Sequence, residues 1–374
     1  MLLGHRRNVG RLDHIDMPTA RAYWQVLSDD AGRAFSWINY APLPDAESGR
    51  PEAFRIVRPC EVLGDNGWVL GAEGWYACCS WYSGHTYLPH PLRPFTPKYR
   101  RRYHRTVDLG GLTLSALTDH GAAYGHMIME GLYKLLKGIE VVGGAERLDQ
   151  VLVPQGMERV LGRSVLADDP LLRPRLLIAD PRAIYRTDAL IAVTHPACSM
   201  NVSQAQLDLL RTARRADRAG PARRIFLARP PGGRRGITNL EEVVRLFEGR
   251  GYLIASGAML DDSWAAFADA EIVAGVHGSD LADCIFMRRG GTLLEILPSD
   301  HRKPYYFNVA ARQGIDFRCL LARSLTRRPT VHGLSSADIT VEVAALDAVL
   351  DAIDEGLPST NRAQEHVLLR LEGA

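Results

Sequence analysis

Lysine is almost missing from this chain. It occurs only at Lys98, Lys134, Lys137 and Lys303, and arginine carries the rest of the positive charge. Net charge is also nearly absent, a formal +2 over 374 residues, which argues against a dedicated nucleic-acid binder. The six cysteines show no metal-ligand spacing, and Cys78 and Cys79 are adjacent, a poor geometry for a structural disulfide. Free thiols in a reducing compartment are the simplest expectation. No eighteen apolar residues run together, and the opening MLLGHRRNVG has no leader-like apolar stretch. Together these predict a soluble, cytoplasmic protein. There is no internal repeat, and no G-x-G-x-x-G follows a strand, which argues against a Rossmann dehydrogenase.

What remains is an ordinary globular composition on a chain long enough for two domains and an extension. Residues 1–105 are rich in Pro, Gly, Trp and Tyr. Within them Gly64-Asp65-Asn66-Gly67 separates two short apolar runs, a hairpin signal, and β-like spacing continues through Trp75, Tyr76, Trp81 and Tyr82. They read as a small β-containing N-terminal extension. From residue 106 short apolar strands alternate with helical patterns. Leu112–Leu117 is a strand, and Tyr124–Leu136 is a helix that Gly138 can end, with Glu140-Val141-Val142 starting a new element. Further strands are expected at Val151–Val153, Leu176–Ile178 and Leu190–Val193, then a helix capped by Ser203. Such alternation implies βαβ units and a mostly parallel sheet. The basic stretch 211–224 marks a boundary, giving one α/β domain over 106–222 and another over 223–335. In the second, the strand at Ile225–Ala228 leads through a Gly/Pro/Arg loop to a helix capped by Thr238 or Asn239, with Glu241 or Glu242 three residues on. A final helix near 341–353 lies in a C-terminal segment, 336–374.

The most informative stretch is IVAGVHGSDLADCIFMRRGGTLLEILP, residues 272–298. A buried strand runs into His277-Gly278, and a helix starts at once. Free backbone N–H groups and the helix dipole converge there, the arrangement that binds anions. Gly278 permits close approach of a ligand, and Ser279 can cap the helix. Glu295 is expected at the carboxyl end of the next strand, where it could hold ribose hydroxyls. In the first domain, His126 and Glu130 lie four apart on one helix face. Either could act as a general base or hold the other in place.

These residues resemble glycosyltransferase family 61 over about 112–316. The C-terminal part of the resemblance lies in Phe267-Ala268, Gly275-Val276-His277-Gly278-Ser279, Leu281, Phe286-Met287, Gly290-Gly291, Leu294-Glu295-Ile296 and Pro298. Upstream it lies in Arg229, Arg234, Arg235, Asn239 and Glu241-Glu242, and earlier in Tyr124-Gly125-His126 and Glu130. The chain departs from the family pattern at Ala123, Met127, Glu130, Asp280 and Asp283, as a divergent bacterial-type member would.

The resemblance implies an α/β fold of GT-B type, two Rossmann-like domains facing across a cleft, with the final helix bracing the first. It implies inversion at the anomeric carbon without a metal ion or other cofactor, a nucleotide-sugar donor (a UDP-sugar foremost), and an oligosaccharide, polysaccharide or glycan acceptor. Arginines and a helix N-terminus would then stabilise the departing diphosphate. Arg229, Arg234, Arg235, Asn239, His277, Gly278, Ser279 and Glu295 are the expected donor residues. His126 and Glu130 are the catalytic candidates, with Asp119, His120 and Tyr124 near the acceptor. Capsular or surface polysaccharide synthesis is the expected setting, with peripheral attachment to membrane machinery. A polysaccharide pyruvyltransferase, a glycoside hydrolase with paired carboxylates and a non-catalytic nucleotide- or sugar-binding protein remain as alternatives.

Overall fold

The computed structural model describes residues 54–65, 67–71, 74–77, 103–118, 121–193, 202–216, 223–232, 234–256, 260, 262–299, 305–325 and 337–356. The chain divides at Arg215–Ala216, inside the basic stretch, into two compact units.

The first unit opens with strands β1 (Phe54–Val57), β2 (Cys60–Leu63), β3 (Trp68–Gly71) and β4 (Gly74–Ala77), followed by β5 (Arg105–Asp108) and β6 (Leu112–Ser115). A helical segment, α1, follows in three parts: Tyr124–His126, a π-helical stretch Met127–Leu132, and the α-helix Tyr133–Val142. Then come β7 (Gln150–Val153), α2 (Met157–Arg163), β8 (Leu176–Ile178), β9 (Ala183–Thr187), β10 (Ala189–Val193) and α3 (Gln204–Thr212). One sheet has the order β1-β10-β6-β7-β8, parallel except for β1. The other has the order β4-β3-β2-β9-β5.

The expected hairpin is present as β2–β3, with Gly64 and Gly67 both at positive φ in its turn. The strands are not a separate extension, however. β1 joins the parallel sheet along β10, and β2 pairs with β9, so this segment belongs to the first unit. The reason is packing: Cys60, Val62 and Val69 are buried with Leu117, Leu152, Tyr185 and Leu190.

Gly138 does not end α1. The helix runs on to Val142 and closes at Gly143, whose left-handed φ of 81° lets its N–H donate to the Ile139 and Glu140 carbonyls. Gly138 is needed inside the helix because Leu114 of β6 lies against it. Ser203 caps α3 as expected, accepting from the Gln206 N–H.

The second unit holds β11 (Arg224–Leu227), α4 (Leu240–Gly249), β12 (Leu253–Ala255), α5 (Ser263–Asp269) and β13 (Ile272–Val276). A 3-10 helix (Ser279–Phe286), β14 (Thr292–Pro298), α6 (Tyr305–Gln313), β15 (Asp316–Ser324), β16 (Ile339–Thr340) and α7 (Val343–Asp354) follow. The sheet order is β12-β11-β13-β14-β15-β16, parallel through β15. The chain therefore winds outward from β11 in one direction, then crosses back to β13 and continues in the other. That is one of the two common orders of doubly wound α/β folds, and its switch point lies between β11 and β13.

Phe226 of β11 stacks on Phe247 of α4 with ring centroids 4.0 Å apart. Leu346 and Leu350 of α7 join the same core, so the final helix packs its apolar face within the second unit. Arg250 fastens it there through Asp347, Asp351 and Asp354. Among the described residues no helix is long and apolar enough to cross a membrane.

The glycine in α1 gives a direct test of this packing. Gly138→Ala gains about 1 kcal/mol of helix propensity but must displace the fully buried Leu114, an overpacking cost of about 1–3 kcal/mol. We expect a net loss by chemical denaturation. Gly162→Ala in α2, where the new methyl meets nothing, should gain about 0.4–1 kcal/mol. A stabilised Gly138→Ala would show that α1 does not pack this closely on β6.

Candidate active site

In an open parallel sheet, ligands bind beyond the carboxyl ends of the strands at the switch point. In the second unit that point is formed by the chain leaving β11, residues 228–236, and the chain leaving β13, residues 277–278. The first is the arginine loop, and the second is the His-Gly turn. The fold thus brings together the two motifs that lie about forty residues apart in the sequence.

The arginine loop is tightly held. Its base closes through the Ile237 N–H donating to the Arg229 carbonyl, at 2.9 Å. The Asp338 carboxylate then accepts from the Gly232 and Gly236 N–H groups, at 3.0 and 2.9 Å. Among the described residues Arg235 is the one non-glycine with positive φ, 61°. This conformation costs a non-glycine residue roughly 1–2 kcal/mol and is found where surrounding contacts enforce it, often at functional sites. Burial, together with repulsion from Arg229 and Arg234, lowers the Arg235 guanidinium to about 10. It stays protonated at neutral pH, so the loop concentrates cationic charge in a partly desolvated place.

The turn after β13 is built around His277 and Glu295. Glu295 has no exposure to solvent, and its Oε1 is hydrogen-bonded to Nδ1 of His277, which is itself only 3% exposed. Oε2 is buried with no hydrogen-bond partner among the described residues. Desolvation drives the Glu295 carboxyl well above its ordinary range, opposed by the nearby positive charge of Arg235. The His277 ring stacks on Tyr305 and lies against Tyr306, whose hydroxyl donates to the Gly278 carbonyl at 2.5 Å. Arg229 donates to the carbonyls of His277 and Arg234 and pairs with Asp280. A side chain at position 278 would collide with the Arg229 guanidinium, which explains the glycine. The 3-10 helix then starts at Ser279, where its first N–H groups lack helical acceptors.

This geometry changes the roles expected for three residues. Glu295 sits inside β14, which continues to Pro298, and it faces His277 rather than an open strand end. Its Oε1 is thus engaged by a side chain of the protein itself. Asn239 does not cap α4 with its side chain. Its amide donates to the Val341 carbonyl and accepts from the Val341 N–H, clipping the start of α4 to the chain entering α7. His277, almost fully buried, supports the turn from beneath. Arg234, Arg235, Gly278 and Ser279 remain at the switch point itself.

In the first unit the matching position follows β6, the strand flanked by β10 and β7. His126 and Glu130 lie where α1 begins, and they are joined: Nδ1 to Oε1 at 2.8 Å. Glu130 is 1% exposed while His126 keeps partial access to solvent. The π-helical turn spans Glu130, and such turns are frequent at functional sites. Gln206 of α3 braces it by donating to the Met129 carbonyl at 2.6 Å. Tyr124, one turn earlier, accepts from Arg163, and its ring lies near both Arg159 and Arg163. Asp119 and His120 lie outside the described residues. Among the described residues no group of three or more His, Cys, Asp or Glu side chains is placed to hold a metal ion.

Residues 124–294 match the family model for glycosyltransferase 61, from Tyr124 to the residue before Glu295. The chain carries a glycosyltransferase 61 domain. A comparison with curated proteins gave no match. The matched span of this glycosyltransferase includes the His126–Glu130 pair, the arginine loop and the His277 turn. Sequence reasoning missed Tyr305 and Tyr306 because α6 was not anticipated. The adjacent tyrosines at the start of an apolar, helix-spaced run (Tyr306, Val309, Ala310) were the available signal.

The buried carboxyl makes stability depend on pH. Glu295 keeps its proton in the folded state at pH values where the unfolded chain has lost it. That contribution is complete below about pH 4.3 and falls as pH rises toward the folded value. Glu295→Gln mimics the protonated acid, so its melting temperature relative to wild type should rise as the pH is raised above 5. A difference that is flat or shrinks over this range would show that the carboxylate is held ionised.

Proposed function

We propose that this glycosyltransferase binds a nucleotide-sugar through the switch point of its second unit and activates a carbohydrate hydroxyl with His126 of its first. The carrying observation is the convergence of Arg234, Arg235 and the N-terminus of the Ser279–Phe286 helix at one sheet edge. Arginines and free backbone N–H groups are the donors that a phosphate recognises. The diphosphate of a UDP-sugar carries enough negative charge to offset the crowded guanidinium groups. This division of labour is that of a GT-B enzyme, with one Rossmann-like unit for the donor and one for the acceptor.

The reaction would proceed as a single displacement. The acceptor oxygen bonds to the anomeric carbon as the bond from that carbon to the phosphate oxygen breaks, which inverts the configuration. Glu130 accepts a hydrogen bond from the Nδ1–H of His126 and so leaves Nε2 to take the proton of the acceptor hydroxyl. Arg234, Arg235 and the backbone at Gly278 and Ser279 receive the charge that grows on the leaving diphosphate, so no divalent cation is called for. Arg229, His277 and Glu295 hold these groups in place. A glycan in surface polysaccharide assembly is the acceptor class we favour, reached by peripheral association with the membrane machinery.

A thermal-shift and calorimetric screen against UDP, GDP, CDP, CMP and their sugars, in EDTA, tests this reading. A ligand selective for the folded state must raise the melting temperature. We expect one nucleotide to bind, with the affinity lost in Arg234→Ala and Arg235→Ala but kept in His126→Ala. Once donor and acceptor are found, His126→Ala should cut kcat by about 10²–10⁴. No response to any nucleotide from a folded protein would overturn the assignment and favour a non-nucleotide binding role.

A further inference from the structure

Asp280 stands where an anion is expected. It lies in the first turn of the Ser279–Phe286 helix, at the positive end of that helix, and its Oδ2 pairs with Arg229 Nη2 at 3.0 Å. Arg229 is largely buried, and its other contacts are the carbonyls of Arg234 and His277. Asp280 is about half exposed and Arg229 is its one carboxylate-to-cation contact among the described residues. The protein's own carboxylate thus already neutralises one arginine of the cluster and part of the helix dipole. A like charge at this position works against a second anion arriving at the same N–H groups.

We propose that Asp280 is an internal counter-anion that competes with the donor phosphate and so sets the affinity of the site. This rests on the assignment of the donor to this switch point. Binding a phosphate there requires Asp280 to turn outward, releasing Arg229 Nη2 to the ligand. When the nucleotide diphosphate departs, the carboxylate returns. The site is thereby filled by its own charge between turnovers, which keeps the product from being held as tightly as the arginine cluster alone would hold it. The partial exposure of Asp280 gives it somewhere to move, whereas Arg229 is pinned by two carbonyls.

The test compares wild type, Asp280→Asn and Asp280→Glu by calorimetry with UDP, GDP, CMP and inorganic pyrophosphate. Removing a charge some 5 Å from the ligand in a half-solvated setting should tighten the bound nucleotide by roughly 5- to 20-fold. Asp280→Glu keeps the charge and should stay within about 2-fold of wild type on the same ground. Unliganded Asp280→Asn should melt lower, having lost the ion pair, yet gain more from nucleotide than wild type does. Wild-type binding with no gain, or a loss, in Asp280→Asn would overturn the proposal and leave the donor site standing; the carboxylate would then serve to position Arg229. An absence of binding by all three folded proteins would overturn the donor site and this inference with it.

Discussion

The buried contact between His277 and Glu295 joins the end of β13 to the middle of β14, and the second unit's site is assembled on it. A carboxyl group without solvent and with one oxygen unsatisfied is costly to fold around. It is tolerated because His277 hydrogen-bonds to its other oxygen and Arg235 lies close enough to act on it. From that pair the rest follows in order. The His277 carbonyl holds Arg229, Arg229 packs against Gly278, and the turn at Gly278 starts the helix whose Asp280 pairs with Arg229 of the arginine loop.

The two units hold similar side-chain pairs in different surroundings. Each contains a largely parallel sheet and a histidine–glutamate contact: His126 with Glu130 within α1, and His277, just beyond β13, with Glu295 inside β14. In the first unit the glutamate is buried and the histidine keeps access to solvent. In the second both members are buried. A wide helical turn in one and a strained arginine in the other are local distortions that ordinary packing does not need.

Much of this was legible in the sequence because short-range signals were strong. The Asn-Gly hairpin, the Ser203 cap and the alternating strands and helices all appear where residue patterns put them. The His126–Glu130 pair followed from helical spacing alone. What was not legible depended on partners distant in the chain. Gly138 reads as a helix stop until Leu114 is seen against it. Glu295 reads as an open strand end until β14 is seen to continue and His277 to take the carboxylate. Asn239 reads as a cap until Val341, about a hundred residues on, claims its amide. The strands in the first hundred residues looked like an appendage because their pairing partners, β9 and β10, lie more than a hundred residues later.

Backbone hydrogen exchange with and without the nucleotide that binds best would locate the donor on the chain. The account predicts slowed exchange in residues 228–236 and 277–281, the two segments at the switch point of the second unit. Protection confined to the first unit, or absent from both of these segments, would contradict it.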